Sequence, residues 1–134
     1  MTLSSMILQN PRTLVDSQLS LSDKGIDVID IIDSQKLITL TVLKLSKNKI
    51  RSALNMQQFP NLRQLDLSHN LLSSYSQVVP PLRNLPSLES LRVDGNPLCL
   101  KYPHFLDVLV ARLSPPLKVL NGIKLSEDAV LNAI

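Results

Sequence analysis

The side chains in this sequence that could do chemistry are few and scattered. Its two histidines are His69 and His104, and its one cysteine is Cys99. A metal site needs three or four such ligands at short spacing, and a Cys–His nucleophile needs its base close by. Neither pattern is present. His69 precedes Asn70 and is expected on the rim of a turn, while His104 stands beside Phe105 and is expected at the surface. Cys99 follows Asn96-Pro97-Leu98 and reads as a small buried hydrophobe. Asp23, Asp27, Asp30 and Asp33 lack the Gly-centred loop that calcium binding needs, so they are expected to keep an outer face wet. Gly25, Gly95 and Gly122 are isolated, and no phosphate-cradling loop can be built from them. No catalytic residue, metal or cofactor is expected, and the chain reads as a protein other than an enzyme.

Composition points the same way. The 134 residues suit one domain, and 44% of them are apolar although only 3% are aromatic. Leucine must therefore do most of the burying. The net charge of +3 is mild and its cations are dispersed, with no run of five Lys/Arg, so direct nucleic-acid binding is not expected. A lone cysteine excludes an internal disulfide and fits a reducing compartment. Residues 1–10 lack a basic and then long apolar signal, and no run of 18 apolar residues exists. Cytoplasm or nucleus is the expected location, with no membrane contact.

The elements that position these residues repeat. Leu40-x-x-Leu43-x-Leu45-x-x-Asn48-x-Ile50 is followed by Leu62-x-x-Leu65-x-Leu67-x-x-Asn70-x-Leu72. Next comes Leu88-x-x-Leu91-x-Val93-x-x-Asn96-x-Leu98. A degenerate first copy, Leu19-x-Leu21-x-x-Lys24-x-Ile26, has Asp16 and Lys24 where Leu and Asn are expected. Starts near 16, 40, 62 and 88 lie within the 20–29-residue period of leucine-rich repeats. The Leu-x-Leu step has period two, so both leucines point to one face of a short strand. The asparagine falls where the chain turns, and can bond backbone groups left unpaired there. Asn48, Asn70 and Asn96 are thus expected to form a structural ladder. Stacked coils would pair their strands in parallel and bury the leucines as one ridge, which no coil could do alone.

Between the strands, residues 27–39 suit a convex turn or a short 3₁₀ or helical stretch. Residues 51–61 end in a Phe59-Pro60-Asn61-Leu62 stop. Residues 73–87 carry Pro80, Pro81 and Pro86 and read as an irregular convex loop. Residues 1–15 are expected to cap one end, with Asn10-Pro11 opening a short helix. Repeats occupy 16–98, and a C-terminal cap follows over 99–125. Its helix is placed at 103–113, with Pro103 in the first turn and Phe105, Leu106, Leu109, Val110 and Leu113 on the apolar face. Pro115 and Pro116 stop it, and a final strand follows near Leu117–Gly122. Residues 126–134 read as the start of a terminal helix with Ser126 as N-cap before Glu127 and Asp128.

These residues resemble the leucine-rich-repeat superfamily in its short-repeat intracellular class. That class includes the protein-phosphatase-one regulator, the spliceosomal A-prime protein, tubulin cofactor E and the axonemal dynein light chain. The stretch Asn96-Pro97…Tyr102…Phe105…Val110…Pro116-Leu117-Lys118-Val119-Leu120-Asn121-Gly122 resembles the family's C-terminal cap, with Asn121 where Asp is usual. Asp94-Gly95-Asn96-Pro97-Leu98-Cys99 also looks like the repeat domain of messenger-RNA export receptors. The resemblance implies an α/β fold: a right-handed solenoid arc with a concave parallel sheet, an irregular, 3₁₀ or helical convex side and a helical C-terminal cap. It implies a scaffold for protein partners, cytoskeletal, ciliary or phosphatase-regulatory, monomeric by itself. The alternative is an adaptor in RNA splicing or messenger-RNA export.

On this reading the residues beside the leucines face the concave side. They are Gln18, Ser20 and Ser22, then Val42, Lys44 and Ser46, then Gln64, Asp66 and Ser68, then Ser90, Arg92 and Asp94, with Val119 and Asn121 in the cap. The middle column, Ser20, Lys44, Asp66, Arg92 and Asn121, alternates in charge. It reads either as a ladder of weak surface pairs or as a charged recognition strip.

Overall fold

The Leu-x-Leu steps form the strands of a single sheet. The computed structural model describes residues 1–10, 14–33, 35–113 and 117–125. Five strands run in parallel: β2 (Gln18–Ser20), β3 (Val42–Lys44), β4 (Gln64–Asp66), β5 (Ser90–Arg92) and β6 (Val119–Leu120). Their register aligns Leu19, Leu43, Leu65, Leu91 and Leu120 across the sheet, and all five are buried. Leu21, Leu45, Leu67 and Val93 form a second buried column one step further. There the backbone ladder continues, with Leu21, Leu45 and Leu67 donating to Lys44, Asp66 and Arg92 carbonyls at 2.8–2.9 Å. The apolar spine is continuous from Leu3 to Leu120.

Both ends of the sheet depart from a purely parallel arrangement. β1 (Leu14–Val15) pairs antiparallel with β2 around Asp16-Ser17, and β7 (Ile123–Lys124) pairs antiparallel with β6 around Asn121-Gly122. All four turn residues have positive φ, from 49° to 80°. Two-residue hairpin turns of this hand match the strand twist. Asp16 occupies a leucine position in the repeat because it belongs to this exposed turn. The hairpins leave only two-residue strands at the sheet's edges, which limits unwanted pairing.

On the other side of the spine the chain makes 3₁₀ turns at Gln35–Thr39, Met56–Gln58 and Tyr75–Gln77. Residues 73–87 are more ordered than their prolines led us to expect, because α2 (Val79–Arg83) follows the last of these turns. Pro80 and Pro81 lie in its first turn, where no intrahelical N–H is needed and their fixed φ suits the helix. Side chains also clamp the coils on this side. Asn55 Nδ2 donates to the Ile29 carbonyl at 3.0 Å, Gln58 Nε2 to that of Asp30 at 2.8 Å, and Asn61 Nδ2 to that of Ile38 at 2.7 Å.

The N-terminal helix is α1 (Leu3–Gln9), which ends rather than begins at Asn10. Thr2 Oγ1 caps it by accepting from Ser5 N, and Leu3 and Met6 are buried in the spine. At the other end Asn96-Pro97 opens a short helix that the repeat pattern hid, α3 (Pro97–Lys101). α4 (Phe105–Arg112) begins at Phe105, so Pro103 lies before it, not within its first turn. Phe105, Leu109, Val110 and Leu113 are buried, but Leu106 faces solvent. Pro115, Pro116, Ser126, Glu127 and Asp128, with the terminal helix expected over 126–134, lie outside the described residues.

Candidate functional site

The sheet's exposed face is held in shape by buried asparagines. Asn48, Asn70 and Asn96 retain 7%, 3% and 1% of their accessible surface. Asn48 Oδ1 accepts from Lys24 N and Ile26 N, both at 3.0 Å, and its Nδ2 donates to the Leu21, Leu45 and Ser46 carbonyls. Asn70 Oδ1 accepts from Ile50 N at 3.1 Å while Nδ2 reaches the Leu45, Leu67 and Ser68 carbonyls. Asn96 Oδ1 accepts from Leu72 N, and Nδ2 donates to Leu67 and Val93. Each amide thus joins its own coil to the one before it. Lys24 stands where the first asparagine is missing, in the first coil of the described residues.

This stacking sets Ser20, Lys44, Asp66 and Arg92 in one row across β2–β5. The row is not a ladder of pairs. Asp66 Oδ1 accepts from Ser68 N at 2.9 Å and Ser68 Oγ at 2.6 Å, within its own coil. Arg92 Nε lies 3.4 Å from Asp94 Oδ1, and His69 Nε2 lies 3.8 Å from Asp94 Oδ2. Among the described residues Lys44 has no carboxylate at ion-pair distance. Ser46 Oγ bonds Ser22 Oγ at 2.9 Å. Gln64 is exposed, and Ser90 is half-buried.

Three residues expected on this face are not free surface. Val42 is 9% exposed, flanked in register by Gln18 and Gln64. Ser68 is 4% exposed and spent on Asp66. Asn121 lies past β6 in the hairpin turn, where its Oδ1 accepts from Val93 N at 2.8 Å and extends the coil-to-coil bonding. Two residues not expected on this face from the sequence also line it. Val15 and Asp16, from the first hairpin, line a depression of about 260 Å³ with Leu19, Ser20, Val42 and Lys44. A smaller one of about 80 Å³ lies between Lys44, Asp66, Ser90 and Arg92. The polar run Asp16-Ser17-Gln18 between Leu14-Val15 and Leu19 was the available signal for that hairpin.

The reactive residues stay apart. His69 is exposed, its ring against Gly95, where an added Cβ would stand 2.3 Å from Nδ1. His104 is exposed 3.6 Å from Asp107 Oδ2. Cys99 is half-buried rather than fully buried; burial pushes its thiol pKa up, and Sγ contacts the Val93 carbonyl at 3.3 Å. The aspartates do not all wet an outer face. Asp30 accepts from Ser4 N at 2.9 Å and from Ser4 Oγ, and Asp27 pairs with the Met1 ammonium at 3.0 Å, so both fasten α1. Among the described residues, no three His, Cys, Asp or Glu are grouped to hold a metal ion. Nor is any described helix long and apolar enough to cross a membrane.

The Leucine Rich Repeat family model matches residues 61–85, the coil that carries β4 and Asn70. The fold is shared with the crystal structure of the Drosophila melanogaster SNF/U2A' complex. That match has a TM-score of 0.71 at 25% identity, covering 87% of this chain and 66% of that one. The chain belongs to the leucine-rich-repeat superfamily. The chain is 42% identical over 65 residues to the Serine/threonine-protein kinase 11-interacting protein of Homo sapiens, covering 48% of this chain and 6% of that protein. It is also 29% identical over 110 residues to the Cilia- and flagella-associated protein 410 of Homo sapiens, covering 82% and 43%. The chain spans only 6–7% of the length of the first curated relatives it matches. Leucine-rich repeats are protein-interaction folds, with extended concave surfaces that serve as binding sites.

Proposed function

We propose that this leucine-rich-repeat domain is a scaffold that holds a protein partner on its concave sheet face and does no chemistry of its own. Ser20, Lys44, Asp66 and Arg92 form the central row of that surface, with Ser46, Gln64, Ser90 and Asp94 beside it. The observation that carries the reading is this row: polar and charged side chains set in register on a rigid sheet, while the leucines and asparagines are consumed internally. The likeness to Cilia- and flagella-associated protein 410 supports a ciliary or cytoskeletal setting within the cytoplasm. The domain works as a monomer and touches nucleic acid, if at all, only through its partner.

The test is charge reversal within the row. Lys44→Glu plus Arg92→Glu changes two exposed side chains, and such substitutions usually cost under about 0.5 kcal/mol. The double variant is expected to lose the proteins that wild type captures from ciliated cells while melting near the wild-type midpoint. Undiminished capture by a folded double variant refutes the assignment.

A further inference from the structure

The depression beneath the first hairpin combines an apolar floor with an unpaired charge. Leu19 and Val42 are buried in its base, and Val15, 58% exposed, stands over them. Lys44 and Asp16 are the charged residues of its lining. At about 260 Å³ it falls below the roughly 300–1,000 Å³ of small-molecule pockets, and fits one or two side chains instead. The charges along the row are unequally free. Arg92 is held by Asp94, and Asp66 is bonded by Ser68, whereas Lys44, although Asp66 is its neighbour in register, has no carboxylate within ion-pair distance among the described residues. A partner carboxylate reaching Arg92 must compete with Asp94, but one reaching Lys44 breaks no existing ion pair, because the neighbouring Asp66 is engaged by Ser68. Asp16 repels a carboxylate brought to it by the same partner.

We infer that this depression receives an aliphatic side chain of an extended partner segment, with an Asp or Glu of the same segment on the Lys44 ammonium. The inference rests on the concave-face reading above and specifies its partner. An extended chain puts alternate side chains on one face, so the acidic residue stands two positions from the aliphatic one. A neutral or basic residue is favoured where the segment passes Asp16. The aliphatic group excludes water from Val15 and Val42, and this desolvation strengthens the ion pair beside it.

The test uses a random twelve-residue peptide library displayed on phage and selected on the whole immobilised chain. Enriched peptides are expected to carry an aliphatic residue two positions from Asp or Glu. As synthetic peptides they should bind Lys44→Glu and Val15→Asp at least tenfold more weakly than wild type. Lys101→Glu, a charge reversal in α3 away from this face, should leave their affinity unchanged. If Val15→Asp melts early, Val15→Ser replaces it, with the same loss expected in reduced degree. Selection without that pairing, or peptides indifferent to Lys44→Glu, overturns the inference. Peptides that respond to Arg92→Glu but not to Lys44→Glu overturn it while leaving the concave-face scaffold standing. Peptides indifferent to both substitutions count against both.

Discussion

Replacing Asn70 and Asn48 by alanine, one at a time, tests how the coils are joined, and the hydrogen bonds fix the expected order. In Asn70→Ala the Leu45 carbonyl keeps its bond from Asn48, the Leu67 carbonyl its bond from Asn96, and the Ser68 carbonyl its bond from Lys47 N. Only Ile50 N, in a fully buried residue, loses its acceptor. One orphaned buried donor costs about 1–3 kcal/mol. In Asn48→Ala, Ile26 N and the Leu21 carbonyl lose their partners together, and Lys24 N turns to solvent. Two buried orphans roughly double the loss, to about 2–5 kcal/mol. Urea unfolding followed by circular dichroism reads both. With a slope of about 1–3 kcal/mol per M, Asn70→Ala should lower the midpoint by on the order of 1 M and Asn48→Ala by more. Asn70→Asp should unfold earlier than Asn70→Ala, because it keeps the acceptor for Ile50 N but turns a carboxylate oxygen toward three carbonyls. An unchanged midpoint for Asn70→Ala, or a larger loss there than at Asn48, refutes the account of redundant and unique bonds.

Gly95 has φ +74°, and a Cβ there would press on the His69 ring, so Gly95→Ala should cost about 1–2 kcal/mol in backbone strain alone. The same substitution in a His69→Ala background should cost less, and equal urea midpoint shifts in the two backgrounds would show that the ring simply swings aside. Asp30 makes attachment of α1 pH-dependent. Its partial burial raises the carboxyl pKa, but the Ser4 hydroxyl and amide outweigh that and hold it below its ordinary value of 3.8. A carboxyl with a depressed folded pKa contributes stability above the unfolded value and loses it as pH falls through the folded value. Protection of the Ser4 amide from hydrogen exchange should therefore collapse in that acid range, and Asp30→Asn should flatten the dependence; an identical pH profile in the variant would contradict it.

What was legible in the sequence is what each coil demands of its neighbour. Leu43, Leu65 and Leu91 recur because a strand face must be covered, and Asn48, Asn70 and Asn96 because turn amides must be bonded. Both demands have a fixed spacing, so both can be read without coordinates. The ends obey no such spacing. Asn121-Gly122, a strong hairpin signal, sat inside a stretch that reads as half a repeat, and the antiparallel β7 was lost in it. Pro80 and Pro81 read as loop residues because a proline pair breaks a helix everywhere except in its first turn. On the concave face, side chains can be assigned a direction by period two, but not a partner. Nothing in the order of residues says that Ser68 will bond Asp66 or that Asp94 will hold Arg92, and those bonds decide which charge remains free.

The N-terminal end shows why the degenerate first repeat is informative rather than worn. A ladder asparagine serves the coil behind it, and behind the first described coil stands α1 in place of a repeat. An asparagine at position 24 would bury an amide with no previous-coil carbonyls to receive it, at a cost of the same order as the orphaned groups above. Lysine at that turn stays exposed and avoids the cost. The open end is covered by α1 instead, whose Leu3 N bonds the Val28 carbonyl at 2.9 Å and whose Ser4 is held by Asp30. Asp30 thus replaces a coil-to-coil amide by a helix-to-coil carboxylate, and this junction responds to acid where the asparagine junctions do not. Acidification should therefore release α1 before the sheet, because the two ends of the same apolar spine are fastened by different chemistry.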